Sequence, residues 1–348
     1  IPLAHMIRPG VGFVRISNFT STTATELDAD IRKLREQGMT RLLLDLRRNP
    51  GGLLEQAVQV AERFVPAGTM IVYTRGRVPG SHQDYFAATE VDRVTEPLVV
   101  LVDHASASAS EIVSGAIQDH DRGLVVGETT FGKGLVQRVI PLRGGGAVAL
   151  TTAQYFTPSG RLIQRDYSDL EDYFLGAGEE DEEEAPPEVD RSDSEIRRTD
   201  SGRVVYGGGG ITPDYVVRAQ RASSYVSRLI RENLLFDFSV RWSQAHPGLE
   251  PDFQVDAPLL EELERYLEER GVPVGEPFEA DRPVISMRLR AQIHRVRWGP
   301  EAENRVFADS DPQIQKALTL FEEAARLARE GDRARTERGE ATTASNAL

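Results

Sequence analysis

Three serines alternate with alanine directly after an apolar run, and this arrangement is suited to nucleophilic catalysis. Ser106, Ser108 and Ser110 follow the apolar residues 98–102 and precede a segment with helical periodicity. A serine at a strand-to-helix turn holds its hydroxyl at the carboxyl end of the strand, and the first amides of the helix point towards the group that it attacks. Such amides stabilise a developing oxyanion by about 3–4 kcal/mol per donor. The pattern alone does not distinguish the three serines, and alternating Ser and Ala also suits a helix N-cap.

A nucleophilic serine needs a general base, and the sequence offers one lysine and two histidines. Lys133 lies between two glycines within apolar sequence, and the acidic residue nearest before it is Glu128. A lysine can act as a general base when burial disfavours its ammonium form. His104 and His120 are the local alternatives, because the members of a catalytic triad need not be close in sequence. We interpret His104 as a structural loop residue.

The lysine also belongs to a motif that resembles a phosphate-binding loop. Gly127, Gly132 and Lys133 match the first seven positions of that loop, but the eighth position is Gly134 instead of the Ser or Thr that would bind magnesium. Strand-like sequence follows Lys133, whereas a phosphate-binding loop continues into a helix. We therefore do not expect nucleotide binding.

The elements that would position these residues alternate between strands and helices, which favours an α/β core with a sheet covered on at least one face. A turn at 49–52 (Asn-Pro-Gly-Gly) follows one buried strand, and its glycines either form a simple turn or let a backbone amide approach a ligand closely. The predicted strands are 11–17, 41–46, 70–74, 98–102, 124–127, 135–141 and 147–155. The predicted helices are 23–37, 53–64, a segment from about 110 to 118, and, after residue 222, 258–270 and 313–330.

Composition excludes several classes of protein. The chain has 348 residues, of which 40% are hydrophobic, so it is long enough for about two domains with a buried core. Its net charge of −14 repels phosphate and disfavours nucleic acid as a partner. The absence of cysteine excludes disulfides, thiolate metal ligands and cysteine nucleophiles. No apolar run approaches the ~20 residues needed to span a bilayer.

The sequence predicts two regions. Residues 1–218 form the α/β core, with an acidic, flexible insertion at 166–206, and residues 219–348 form a mainly helical region whose last 12 or so residues are disordered. Eight acidic and no basic residues lie within 179–190, and such an unspaced block is typical of a hydrated segment rather than a metal site. The chain opens with Ile-Pro-Leu, so we expect a fragment or a processed form.

Five motifs in this order resemble the carboxyl-terminal processing (tail-specific) serine peptidases. The similarity covers about residues 9–164 and resumes at 210–217. Together the motifs are far more specific than any one of them. They are DLRxNPGG at 45–52, SASASEI at 106–112, QDH at 118–120, GExTFGKGxVQ at 127–137 and TPSGR at 157–161.

The resemblance implies a Ser/Lys endopeptidase with a crotonase-like α/β core. By position, Ser108 would be the nucleophile, Lys133 the general base and Gln137 the residue that orients the lysine. The backbone amides of Gly52 and Ala109 would form the oxyanion hole. The implied substrates are proteins or peptides with apolar C-terminal tails, and no metal or organic cofactor is implied.

Regulation and location are also expectations from the resemblance. Members usually carry a PDZ domain ahead of the core, and we expect none in this chain because no Gly-Leu-Gly-Phe-like loop is found. The implied location is the periplasm or another extracytoplasmic space, with a membrane anchor in a preceding segment. The helices of 219–348 would form a homo-oligomer or adaptor surface, or pack on their own core.

Two alternative functions remain open from the sequence. The same core could serve as a non-catalytic peptide-binding or scaffold module. It could also be a crotonase-like enzyme acting on an acyl thioester, which would use paired amides around an oxyanion but would not need a serine and a lysine together.

Overall fold

The computed structural model describes residues 1–77, 79–88, 92–165 and 195–345, and the chain divides into two units. The first unit is Ile1–Arg218 together with Lys316–Leu348, and the second is Ala219–Gln315. The predicted boundary at 218/219 agrees with this division at that point. It differs at the C-terminal end, because the last helix is grouped with the first unit.

The described residues of the first unit contain twelve strands in three sheets. A six-stranded sheet has the order β1-β2-β3-β6-β7-β12, a four-stranded sheet has the order β5-β4-β9-β8, and β10 pairs with β11. The strands are β1 (Leu3–Arg8), β2 (Val11–Arg15), β3 (Arg41–Asp45), β4 (Met70–Arg75), β5 (Gln83–Phe86), β6 (Leu98–Val102), β7 (Leu124–Gly127), β8 (Leu135–Pro141), β9 (Ala147–Phe156), β10 (Ile196–Arg198), β11 (Val204–Tyr206) and β12 (Tyr215–Val216).

The six-stranded sheet explains why distant segments of sequence meet. Strands β2, β3, β6, β7 and β12 are parallel, and only the β1–β2 pair is antiparallel. All residues of β6 and β7 are buried, as expected for parallel strands that are covered on both faces. Because β3, β6 and β7 are neighbours with the same direction, the loops that follow their carboxyl ends lie at one edge of the sheet.

Among its described residues, the first unit also has the helices α1 (Thr23–Glu36), α2 (Leu54–Glu62), α3 (Ala109–Asp119) and, near the C-terminus, α10 (Phe321–Ser345). Every residue of α3 is buried, whereas α1 buries one face that includes Leu27, Ile31 and Leu34. The prediction of an α/β class is confirmed, and all seven predicted strands and the three helices before residue 120 are present. The short strands β1, β5, β10, β11 and β12 were not predicted, because each carries too little apolar periodicity.

The four-stranded sheet ends in a two-stranded arm. Strand β8 is the edge strand, and its pairing with β9 shifts register between Val136 and Gln137. Beyond that shift every residue of β8 is exposed, and Val139 retains 71% of its accessible surface.

The predicted flexible insertion at 166–206 lies outside the described residues as far as 194. Its last part is ordered instead, because β10 and β11 form a hairpin whose turn is bound to the core. The Asp200 amide donates to the Asp119 carbonyl oxygen at 2.9 Å, and Arg203 Nε donates to Asp121 Oδ1 at 2.7 Å. The charged side chains that follow the acidic block therefore form part of the core.

The second unit is helical. Its core contains the fully buried side chains Leu263, Leu267, Phe278, Leu289 and Ile293. The predicted helix at 258–270 is present, whereas the one at 313–330 is divided around 319–320. Within the described residues, no helix has the length and apolarity to cross a membrane. The helices from residue 219 to 318 are α4 (Ser224–Arg231), α5 (Leu234–Ala245), α6 (Ala257–Glu269), α7 (Glu276–Trp298), α8 (Pro300–Ser310) and α9 (Pro312–Leu318).

The last helix of the chain, α10, is assigned as far as Ser345, and disorder of the last 12 or so residues stays a prediction. Residues 346–348 lie outside the described part of the chain. Arg335 of this helix donates from Nη1 to Asp200 Oδ2 at 2.8 Å, so the helix is bound to the core near its C-terminal half.

Candidate active site

The structure distinguishes the three serines that sequence reasoning left equivalent. Ser106 and Ser110 are fully buried, and their hydroxyls donate at 2.9 Å to the main-chain oxygens of Leu46 and Asn49, respectively. Ser108 is half-buried and precedes α3 with φ 55° and ψ −110°. A positive φ is uncommon for a residue with a side chain and marks local strain. A serine on such a sharp strand-to-helix turn presents its hydroxyl outwards, as a nucleophile requires.

A buried carboxylate connects the Ser108 turn with the loop that carries Lys133. Glu111 Oε2 accepts hydrogen bonds from the Ser108 amide at 2.7 Å and from the Lys133 amide at 2.9 Å. Its Oε1 accepts from the Thr130 hydroxyl at 2.6 Å and from the Gly132 amide at 2.7 Å. One side chain therefore holds both residues from the N–H side of their backbone.

The charge of this carboxylate is subject to two opposing effects. Burial raises the pKa of Glu111, because the interior solvates the ionised form less well than water does. The hydrogen bonds from Thr130, Lys133, Gly132 and Ser108 oppose that rise, since all four stabilise the carboxylate. Protonation would place a hydrogen among groups that are themselves donors, so the ionised form is the one that fits the site.

Tyr155 of β9 approaches the same two residues from the other side. Its side chain is 2% exposed, and its hydroxyl lies 3.2 Å from the carbonyl oxygen of Ser108. The hydroxyl also donates to the carbonyl oxygen of Lys133. Sequence reasoning gave no role to Tyr155 or to Glu111. The only local signal was the position of Glu111 three residues after Ser108, at the third position of a helix, which is typical of a capping glutamate.

The turn after β3 lies directly against Ser108. The Asn49 carbonyl oxygen accepts from the Ala107 amide at 3.0 Å, and Asn49 Oδ1 accepts from the Gly51 amide at 2.9 Å. A Cβ at Gly51 would lie 2.8 Å from the Ser108 Cβ and 2.9 Å from the Ala109 nitrogen. Glycine is required at this position because the two loops are in backbone contact.

The two expected oxyanion donors have free N–H groups. Gly52 has φ +148°, and a Cβ there would lie 2.2 Å from the Phe19 carbonyl oxygen, so only glycine permits this backbone path. Within residues 1–77, 79–88, 92–165 and 195–345, neither the Gly52 amide nor the Ala109 amide donates a hydrogen bond. Backbone amides without a partner among the described residues are suited to binding an oxyanion.

Gln137 and Lys133 differ in their exposure. Lys133 is half-buried in the loop after β7, whereas Gln137 is exposed on β8, just beyond the register shift. Among the described residues, no hydrogen bond joins these two side chains. The role that the resemblance gives to Gln137 therefore stays a prediction.

The histidines that sequence reasoning kept as alternative bases lie in other surroundings. His120 follows the last residue of α3, so the length of the helix, roughly 17 Å at 1.5 Å per residue, separates it from Ser108. Its Nδ1 lies 2.8 Å from Asp200 Oδ2 and its Nε2 lies 2.7 Å from the Met70 carbonyl oxygen. His104 is exposed, with Nδ1 3.5 Å from Glu128 Oε2. His120 therefore has a structural role at the far end of the helix.

Comparison with known proteins identifies one family. Residues 10–169 match the peptidase family S41. A carboxy-terminal-processing protease from Bartonella bacilliformis is 44% identical over 164 residues, which are 46% of this chain and 38% of that protein. A chloroplastic C-terminal processing peptidase from Tetradesmus obliquus is 42% identical over 156 residues, which are 44% of this chain and 33% of that protein.

A solved structure, that of a photosystem II D1 C-terminal processing protease, is 40% identical and superimposes with a TM-score of 0.40. The match covers 44% of this chain and 39% of that one. The chain thus spans about two fifths or less of the length of each of these relatives.

Proposed function

Because residues 10–169 match peptidase family S41, we propose that this chain is a serine endopeptidase that cleaves proteins near their C-terminal tails. In this proposal Ser108 is the nucleophile, Lys133 is the general base, and the α/β core is of the crotonase-like type. The observation that carries the proposal is the shared carboxylate oxygen of Glu111, which binds the Ser108 amide at 2.7 Å and the Lys133 amide at 2.9 Å. Two residues 25 positions apart are thereby held side by side.

The mechanism proposed for these residues has two steps. Neutral Lys133 takes the hydroxyl proton of Ser108, whose oxygen attacks the scissile carbonyl carbon, and the amides of Gly52 and Ala109 bind the oxyanion. Lys133 then donates the proton to the leaving amine, and water hydrolyses the acyl-enzyme. This chemistry uses no metal or organic cofactor. In this proposal Gln137 orients Lys133.

The substrate class and the location are part of the same proposal. We propose protein substrates with apolar tails and an extracytoplasmic site of action. The two relatives are a carboxy-terminal-processing protease of a bacterium and a C-terminal processing peptidase of a chloroplast. Their names support protein substrates and a site of action outside the cytoplasm.

The proposal is tested by incubating the purified chain with an unfolded protein that has an apolar C-terminal tail. We expect cleavage by the unaltered chain and none by Ser108→Ala or Lys133→Ala. Lys33→Ala and Ser310→Ala are matched controls, because both side chains are exposed and lie outside the site. Cleavage that survives in Lys133→Ala would contradict the lysine base. Absence of cleavage by every form would contradict peptidase activity of this chain by itself.

A further inference from the structure

We infer that Tyr155 is a positioning residue that orients the peptide group between Ser108 and Ala109 for binding an oxyanion. This inference rests on the proposed function, because it concerns the N–H group that the proposed mechanism uses. Tyr155 itself does not contact the scissile bond in this proposal. It acts through the backbone that it binds.

The first step of the argument is the planarity of the peptide group. The carbonyl oxygen of Ser108 and the N–H of Ala109 belong to one rigid unit, and in a trans peptide they point in opposite directions. The described residues contain no cis peptide bond. A hydrogen bond that fixes the direction of the Ser108 carbonyl therefore also fixes the direction of the Ala109 N–H.

The second step is the strain at this position. Ser108 has φ 55° and ψ −110°, a conformation that costs about 1–3 kcal/mol for a residue with a side chain and persists only where surrounding contacts hold it. Glu111 holds the amide of Ser108, at the start of the strained residue. At the other end, the Ser108 carbonyl oxygen accepts from the amides of Glu111 and Ile112 at 2.9 and 3.0 Å, and the Tyr155 hydroxyl, at 3.2 Å, adds a third contact from β9.

The third step is that the same hydroxyl binds the backbone of the lysine. It donates to the Lys133 carbonyl oxygen, and the other side of that peptide group is also held, since the Gly134 amide donates to Gln164 Oε1 at 2.9 Å. A phenolic hydroxyl has one proton, so Tyr155 shares it between the Ser108 and Lys133 carbonyl oxygens. Glu111 binds both residues from the N–H side, and Tyr155 binds both from the carbonyl side.

Tyr155→Phe tests the inference because it keeps the buried ring and removes only the hydroxyl. Tyr225→Phe is the matched control, since the Tyr225 hydroxyl also donates to a main-chain carbonyl oxygen, that of Pro273, at 3.0 Å in the second unit. We would measure kcat and KM for a peptide amide, and inhibition by a peptide aldehyde and by the corresponding alcohol. The aldehyde forms a hemiacetal oxyanion with the serine, whereas the alcohol does not.

We expect Tyr155→Phe to lower kcat by about 10- to 100-fold, below the full effect of deleting an oxyanion donor, with little change in KM. Aldehyde affinity should fall by a similar factor, whereas alcohol affinity should not change, and Tyr225→Phe should alter none of them. Unchanged kcat and aldehyde affinity in Tyr155→Phe would overturn the inference. An equal loss of aldehyde and alcohol affinity would also overturn it, since that pattern indicates a purely structural role.

A second measurement separates this inference from the proposed function. In chain labelled with 15N-alanine, the residual dipolar coupling of the Ala109 amide reports the direction of its N–H bond without any catalysis. We expect the coupling to change in Tyr155→Phe and not in Tyr225→Phe, and an unchanged coupling would overturn the inference. If the unaltered chain shows no Ser108-dependent hydrolysis while the coupling responds to Tyr155, the proposed function fails and the positioning contact stands.

Discussion

Replacing Glu111 by glutamine tests whether one buried carboxylate holds Ser108 and Lys133 together. The glutamine amide has the same shape, but only one of its two ends accepts hydrogen bonds. Its NH2 group would replace Oε1, where the Thr130 hydroxyl can accept but the Gly132 amide would lose its acceptor, and the oxygen would remain towards Ser108 and Lys133. The two bonds to those residues then change from a charged to a neutral acceptor.

The expected magnitude follows from these contacts. A hydrogen bond to a charged group contributes about 1.5–3 kcal/mol and one between neutral groups about 0.5–1.5 kcal/mol, so each of the two bonds weakens by roughly 1 kcal/mol. A total of about 2 kcal/mol corresponds to a roughly 30-fold smaller population of the correctly held pair, at about 1.4 kcal/mol per factor of ten. The free energy of unfolding should also fall, because the buried Gly132 amide loses its acceptor, although glutamine removes the desolvation cost of the buried charge.

The assay is the rate at which a fluorophosphonate labels Ser108, with thermal unfolding measured on the same samples. We expect Glu111→Gln to be labelled about 30-fold more slowly. Glu303→Gln, which alters a buried carboxylate of the second unit that accepts from Arg295 Nη1 at 2.7 Å, should be labelled at the normal rate. Labelling of Glu111→Gln at the normal rate would refute the reasoning.

The pH dependence provides an independent check. Because burial raises the pKa of Glu111 above 4.5, the folded protein takes up this proton before the unfolded chain does. The carboxyl's contribution to stability therefore increases as the pH falls through the folded pKa towards 4.5, while labelling declines because the neutral acid no longer fits its four donors. Glu111→Gln has no carboxyl group to protonate at this position, so its labelling rate should fall less steeply as the pH is lowered. If the labelling rates of both forms depended on pH equally steeply, a role for the ionised form would be contradicted.

Two further outcomes are expected. Gly52→Ala would place a Cβ 2.2 Å from the Phe19 carbonyl oxygen, so its unfolding temperature should fall. The fall should be larger than in Gly68→Ala, where φ is +74° but no atom lies within 4 Å of the added Cβ. Equal losses in the two variants would contradict the steric argument. For Asp200, burial is the largest single effect and raises the pKa, but the hydrogen bonds and charges of His120 and Arg335 together outweigh it and lower the pKa below 3.8. The stability that this carboxylate contributes should be complete above pH 3.8 and be lost as the pH falls through the folded pKa. In Asp200→Asn, the free energy of unfolding, measured with urea, should therefore depend less on pH in that range.

Local pattern was sufficient for much of the fold. The runs at β3, β6 and β7 are short, apolar and bounded by turn residues. In the helices α1 to α3, the apolar residues recur at helical spacing. These signals depend on neighbouring residues only, so they survive without knowledge of the rest of the chain. The C-terminal helix α10 could not be placed in this way. Its binding to the core depends on contacts such as that of Arg335 with Asp200, 135 residues away in sequence.

The sequence by itself determined the α/β class and the residue types of the site, because periodicity, glycine-rich turns and spaced motifs are properties of short segments. Only the tertiary structure distinguished the three serines from one another. The hydroxyls of Ser106 and Ser110 are bound to carbonyl oxygens 60 and 61 residues earlier in the chain, and such partners leave no local pattern. Tyr155 is a similar case, since its hydroxyl meets carbonyl oxygens 22 and 47 residues away. The position of these partners depends on the order of strands in the two sheets, because strand order brings together groups that are distant in sequence.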